Sequence, residues 1–216
     1  MQITIREPGS AITHFVAMMM AIFAAIPLLV KTGISLGNHE MKAMAVFIIS
    51  MILLYAASTT YHAVNVKGET LKIFKRIDHM MIFVLIAGSY TPVCLITFDS
   101  KLGYPLLATV WGIAIAGMII KFFWVTCPKW FSSMLYISMG WVVVAVLKTL
   151  FNSFSIPAFL LLLLGGVIYT VGGVIYALKL PIFNSKHKDF GSHEIFHLFV
   201  MGGSACHFMF MYLYVA

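Results

Sequence analysis

Four side chains with metal-binding or proton-accepting chemistry fall at the ends of long apolar stretches: His62 closes one, Asp78 opens the next, and His193 with His197 opens another. His193 and His197 are four residues apart, so a helix puts both imidazoles on one face, the spacing that grips a single metal ion. Ser58 and His62 share a face by the same spacing. Neutral imidazole nitrogen binds Zn2+ at about 2.0–2.1 Å, and three protein ligands leave a fourth position for water or substrate. Such a metal makes water a nucleophile near neutral pH, able to attack an ester or amide carbonyl, and Asp78 is the carboxylate placed to accept its proton.

Each of these residues also has a plainer role. An i, i+4 pair among eight histidines is weak by itself. Asp78 suits the first turn of a helix, where negative charge favours the dipole, or a partner such as Arg76. Glu194 fits the same first-turn role behind an N-cap Ser192. The Ser58 hydroxyl can bond back to a carbonyl of its own helix. What lifts the metal reading is that His62, Asp78, His193 and His197 share one depth across three separate helices.

The helices follow from composition. With 62% hydrophobic and 10% charged residues and a mean hydropathy of +1.00, the chain cannot form the core and surface of a soluble domain. A bilayer crossing takes about 20 apolar helical residues, because unsatisfied backbone groups are too unfavourable in hydrocarbon. Seven spans fit, roughly 11–31, 43–64, 79–98, 104–124, 131–151, 157–178 and 194–214. The expected fold is all-α, a seven-transmembrane helix bundle forming one integral membrane domain over residues 1–216. The first span lacks a small-residue cleavage site and is followed by six more, so it is expected to stay in the mature protein.

Lysine and arginine placement sets the orientation. With the N-terminus cytoplasmic and the C-terminus outside, the inner side holds Arg6, Lys67, Lys72, Lys75, Arg76, Lys121, Lys129, Lys179, Lys186 and Lys188, against Lys31, Lys42, Lys101 and Lys148 outside. The net charge of +7 is therefore a topology signal and an attraction to anionic headgroups, and no nucleic-acid partner is expected. Leu71, Phe74 and Ile77 predict a short interfacial helix before the third span. Cys94, Cys127 and Cys206 have no Cys-x-x-Cys spacing and read as packing residues. Gly165-Gly166, Gly172-Gly173 and the Ala17, Ala21, Ala25 series permit close helix approach. His39, His79 and His187 read as headgroup-boundary anchors, His207 lies too far along its helix to share the metal, and His14 reads as a support behind the ligands.

His193-Glu194-Ile195-Phe196-His197 is also a literal H-E-x-x-H, in which metalloproteases use the glutamate as general base. Intramembrane proteases with that motif need a further Asp from an Asn-Pro-x-x-Asp-Gly-like segment, which has no match here.

Ser58-Thr-Thr-Tyr-His62, Asp78-His79 with Ile86-Ala-Gly-Ser-Tyr-Thr-Pro92, and His193-Glu-Ile-Phe-His197 together resemble the blocks of the hemolysin III family, related to progestin and adipoQ receptors and more distantly to alkaline ceramidases. The resemblance covers essentially the whole chain. It implies zinc held by His62, His193 and His197, Asp78 contacting the catalytic water with Ser58 beside it, an N-in topology, and a bacterial plasma membrane. The Glu7 to His14 segment resembles the family's Glu…Asn…His block but carries Ser10 where asparagine is expected. Three functions are compatible: a zinc-dependent lipid amide or ester hydrolase acting on a ceramide-like membrane lipid, a receptor-like or membrane-homeostasis protein with structural or sensing zinc, and a lytic pore. The pore has the poorest support, because the spans lack polar stripes.

Overall fold

Helix α1 (Pro8–Ser35) begins where Pro8 takes a first-turn position that needs no N–H, and it runs 28 residues to a tight turn at Gly37. Gly37 has φ +118°, open to glycine and strained for any side chain, and this turn sends α2 (Asn38–Ala63) back antiparallel. A computed structural model describes residues 5–178 and 191–216. The remaining described helices are α3 (Gly68–Pro92), which continues into a π turn over Val93–Thr97, α4 (Ser100–Phe123), α5 (Lys129–Gly140), α6 (Leu147–Ser153), α7 (Ile156–Leu178) and α8 (Ser192–Phe210), which ends in a π turn over Met211–Val215. Trp141–Val146 is 3-10 helix and joins α5 to α6 as a single span.

Seven helical stretches among the described residues are long and apolar enough to cross a membrane, so this is an integral membrane protein with an all-helical bundle. Most of them start or end beyond the expected limits, because polar turns extend the helices past the apolar stretch. The largest difference is at α3. The expected interfacial helix around Leu71, Phe74 and Ile77 is the first part of α3 itself, which starts at Gly68 and passes unbroken through Asp78. His187, Lys179, Lys186 and Lys188 lie outside the described residues.

The bundle is apolar on both sides. Inside, Leu28, Met44, Phe47, Ile48, Leu54 and Phe210 pack α1, α2 and α8 together. Phe83, Ala87, Val110, Ala114 and Met139 do the same for α3, α4 and α5. Outside, Phe23, Ile34 and Phe123 project from the bundle, as lipid-facing side chains do. Close approach is made at Gly88 against Ser50 and at Gly117 against the Phe83 ring. Gly165 and Gly172 admit His207 and Phe199 of α8, and Gly173 faces Ile137 of α5, so three of the four glycines singled out in the sixth span serve packing. Gly166 has no neighbour within 4 Å of where a Cβ would stand.

The fifth span is interrupted. Passing from α to 3-10 geometry at Gly140 frees backbone groups that hydrocarbon cannot satisfy. Tyr90 of α3 repairs the break: its hydroxyl donates to the Gly140 carbonyl at 2.6 Å and accepts the Val143 N–H at 2.9 Å. Trp141 Nε1 donates to Thr170 Oγ1 at 2.9 Å, tying the same point to α7. Tyr90→Phe leaves a half-buried carbonyl and a half-buried N–H unmatched inside a membrane span, and is expected to destabilise the protein by about 1–3 kcal/mol. A lowered melting temperature in detergent checks this. Because the aromatic ring is retained, the change reads the lost hydrogen bonds and not lost packing.

Candidate metal centre

The centre lies at the end of the bundle where α2 finishes and α3 and α8 pass or begin. His62 occupies the last turn of α2, and His193 and His197 sit on the first two turns of α8. Their candidate ligand atoms all lie within 4.8 Å of one another, and the His62 and His193 Nε2 atoms are 3.2 Å apart. His62 and His197 are almost wholly buried, 1% and 2% exposed, which a histidine gains little from without a partner.

The outer nitrogens show which inner ones are free to ligate. The segment before α1 is laid across the end of α2 by the Glu7 N–H, which donates to the His62 carbonyl at 3.0 Å. Arg6 donates to the Tyr61 carbonyl at 2.7 Å and its guanidinium stacks 4.4 Å from the Tyr61 ring centre. This places the Glu7 carboxylate on His62 Nδ1. That hydrogen bond, opposed by burial and aided by the Arg6 charge, holds the Glu7 carboxyl below the usual carboxylate range.

Thr13 does the equivalent work for His197. Its hydroxyl donates to the carbonyls of Gly9 and Ser10, both at 3.0 Å. Its oxygen therefore accepts from His197 Nδ1, 3.3 Å away. With both Nδ1 atoms protonated and engaged, His62 and His197 turn bare Nε2 lone pairs inward, the tautomer a metal requires. Three converging imidazoles fit zinc, whose ligand nitrogens stand about 3.3 Å apart in a tetrahedron of 2.0–2.1 Å bonds.

Asp78 is 7% exposed and sits ten residues into α3, so it is no helix-start residue and the dipole explanation fails. Arg76 is not its partner either: that guanidinium lies 5.8 Å from the Phe122 ring centre, and no ion pair to Asp78 forms among the described residues. The Ser58 hydroxyl, 1% exposed, lies beside the Asp78 carboxyl. Ser58, Asp78, His193 and His197 all line one cavity of about 200 Å³ that continues between α3, α5, α7 and α8 to Phe98 and Met211 at the far end. Its walls are mostly apolar side chains.

The other candidates separate. Glu194 does not face the ligands as a protease base would: one carboxylate oxygen accepts from Ser10 Oγ at 2.6 Å and the other from the Gly191 N–H at 2.8 Å. Gly191, not Ser192, is thus the N-cap. His14 is 3% exposed, stacks on His197 with ring centres 3.6 Å apart and lines the same cavity. His79 is not an anchor at a boundary. It lines the cavity, and its carbonyl accepts from the Tyr136 hydroxyl at 3.1 Å. His39 is exposed at the start of α2, and His207 packs against Gly165 away from the cluster. Sequence reasoning does not find Glu7 and Thr13 as imidazole partners. The one hint is Glu7 in the resemblance to the first family block.

Glu7→Gln keeps an acceptor for His62 but removes its charge, and is expected to weaken metal affinity about 10–100-fold. Competition against a chromophoric chelator measures it.

Seven apolar helices with three converging imidazoles at one end define an integral membrane protein with a helix-borne candidate metal centre. A family model described as Haemolysin-III related matches residues 2–208. The chain is 38% identical over 209 residues to Hemolysin-3 of Bacillus cereus, covering 97% of this chain and 91% of that protein. It is 37% identical over 212 residues to the Hemolysin-3 homolog of Bacillus subtilis (strain 168), covering 98% and 95%. It belongs to the haemolysin-III family. A more distant similarity, 24% over 237 residues, joins it to the adiponectin receptor protein of Drosophila melanogaster, covering 94% of this chain and 49% of that one.

Proposed function

We propose that this protein is a zinc-dependent hydrolase of membrane lipid amides or esters, with His62, His193 and His197 holding the metal on the cytoplasmic side of a bacterial plasma membrane. The observation that carries the reading is the shared cavity: Asp78, Ser58, His193 and His197 stand at one end of a long apolar space inside the bundle. An acyl chain laid in that space would bring its carbonyl to the polar end. The apolar walls favour a lipid chain over a hydrated ion path, which argues against a pore.

Zinc in such a site supplies Lewis acidity, polarising a carbonyl and making water a nucleophile near neutral pH. The chain's own residues do the rest. Glu7 and Thr13 hold the His62 and His197 rings in place and in one tautomer. Asp78 takes the proton of the attacking water and passes it to the leaving amine or alkoxide, with Ser58 orienting its carboxyl. The cavity walls align the acyl chain and keep bulk water away.

The test is metal content and turnover on the same purified sample, with ceramides and other lipid amides and esters as substrates. Stoichiometric zinc with metal-dependent release of fatty acid supports the reading. Zinc without turnover on any of them favours the structural or sensing role, and absence of metal from folded protein removes both.

A further inference from the structure

Away from the three candidate ligands, the end of α4 and the start of α5 bury a second reactive group. Lys121, in the last turn of α4, is 0% exposed. Its Nζ stands 2.5 Å from Ser132 Oγ and 3.0 Å from Cys127 Sγ, and the thiol is 3.3 Å from the same hydroxyl. No carboxylate pairs with Lys121 among the described residues. The nearest aromatic face is Tyr136, 5.7 Å to its ring centre. Ser132 and Ser133 are buried and line the cavity described above. A topology charge at Lys121 and a packing residue at Cys127, the roles their sequence positions suggest, do not account for an amine enclosed by a hydroxyl and a thiol at the wall of a lipid-sized space.

An amine beside a serine hydroxyl is one of the recurring ways to make a serine nucleophilic, because the neutral amine accepts the hydroxyl proton. Lysine can serve as that base where arginine cannot, since the guanidinium keeps its proton. We propose that Ser132 and Lys121 form a serine–lysine dyad, a second acyl-transfer centre on the same cavity, acting on carboxylic esters of lipid acyl chains. Cys127 is a positioning residue: its sulfur accepts from Nζ and keeps the amine against Ser132.

The reaction balances with water alone. Ser132 Oγ bonds to the acyl carbon as its proton passes to Lys121. The bond from that carbon to the alcohol oxygen breaks, and the alcohol leaves with the proton from Lys121. Water then adds to the acyl-serine and gives a proton to Lys121. The bond to Oγ breaks, Ser132 recovers a proton from Lys121, and a fatty acid departs. No metal takes part, so the dyad is tested separately from the zinc reading.

The experiment is covalent labelling of the full-length protein in detergent with a long-chain alkyl fluorophosphonate, chelator present, mapped by peptide mass spectrometry. The Oγ–P bond forms, the P–F bond breaks, and fluoride leaves with the serine proton. The expected result is a label on Ser132 that disappears in Ser132→Ala, slows roughly 100-fold or more in Lys121→Ala, and is restored there by added ethylamine. A merely structural lysine gives no amine rescue. Folded wild-type protein left unlabelled at Ser132, a label on Cys127 instead, or Lys121→Ala labelling at the wild-type rate overturns the proposal. Should the Lys121 variant fail to fold, site mapping on the wild type still decides.

Discussion

Asp78→Asn is expected to lower metal-dependent lipid hydrolysis, the part that a chelator removes, by about 10²–10⁴-fold while leaving bound zinc at its wild-type level. The two side chains have nearly the same shape, so the pocket beside Ser58 is preserved, and none of the three imidazoles changes. What is lost is a proton acceptor at the end of the cavity. Asp78 is 7% exposed and forms no ion pair among the described residues, so no salt bridge accounts for its presence structurally. A carboxylate inside a membrane span is retained for a task. Parallel measurement of metal content and fatty-acid release separates the outcomes. Undiminished turnover would remove Asp78 from the chemistry and leave the cavity as a binding site only.

Replacing His62 and His197 together by alanine is expected to take zinc from about one equivalent per chain to almost none, since one imidazole cannot hold the metal alone. The same variant should lose zinc-dependent stabilisation. Ligand binding at 100 times its dissociation constant stabilises a folded protein by about 2.7 kcal/mol, so added zinc should raise the melting temperature of the wild type and not of the variant. Elemental analysis on monodisperse protein, with melting curves beside it, reads both. A variant that keeps stoichiometric metal would place the ion elsewhere.

The candidate ligands are legible in the chain because two independent regularities meet: the four-residue spacing of His193 and His197, and the depth that apolar span lengths assign to His62. The same depth argument finds Asp78, but its setting differs from the expected one. The cationic turns around Lys72, Lys75 and Arg76 read as a separate interfacial helix when only hydropathy is weighed, yet they are the start of α3. A helix can project from the bilayer wherever its polar turns reach water, and hydropathy does not see this. The broken fifth span carries a faint local sign in Trp141-Val-Val-Val-Ala-Val146, a β-branched run that crowds the preceding helical turn. Its repair by Tyr90 is a tertiary event. So are the bonds from Glu7 to His62 and from Thr13 to His197, which join residues 55 and 184 positions apart. No local pattern encodes such distances.

The cluster also joins an early part of the chain to a late one, since His62 and His193 are 131 residues apart. Ribosomal synthesis and insertion deliver α2 well before α8, so the candidate ligands meet only when α8 has entered the bilayer. On the proposed zinc reading, metal capture would be a late step of biogenesis, one that fastens α8 to α2. Because the free energy of ligation would add to that of folding, chains made without the proposed metal would hold α8 more loosely against α2.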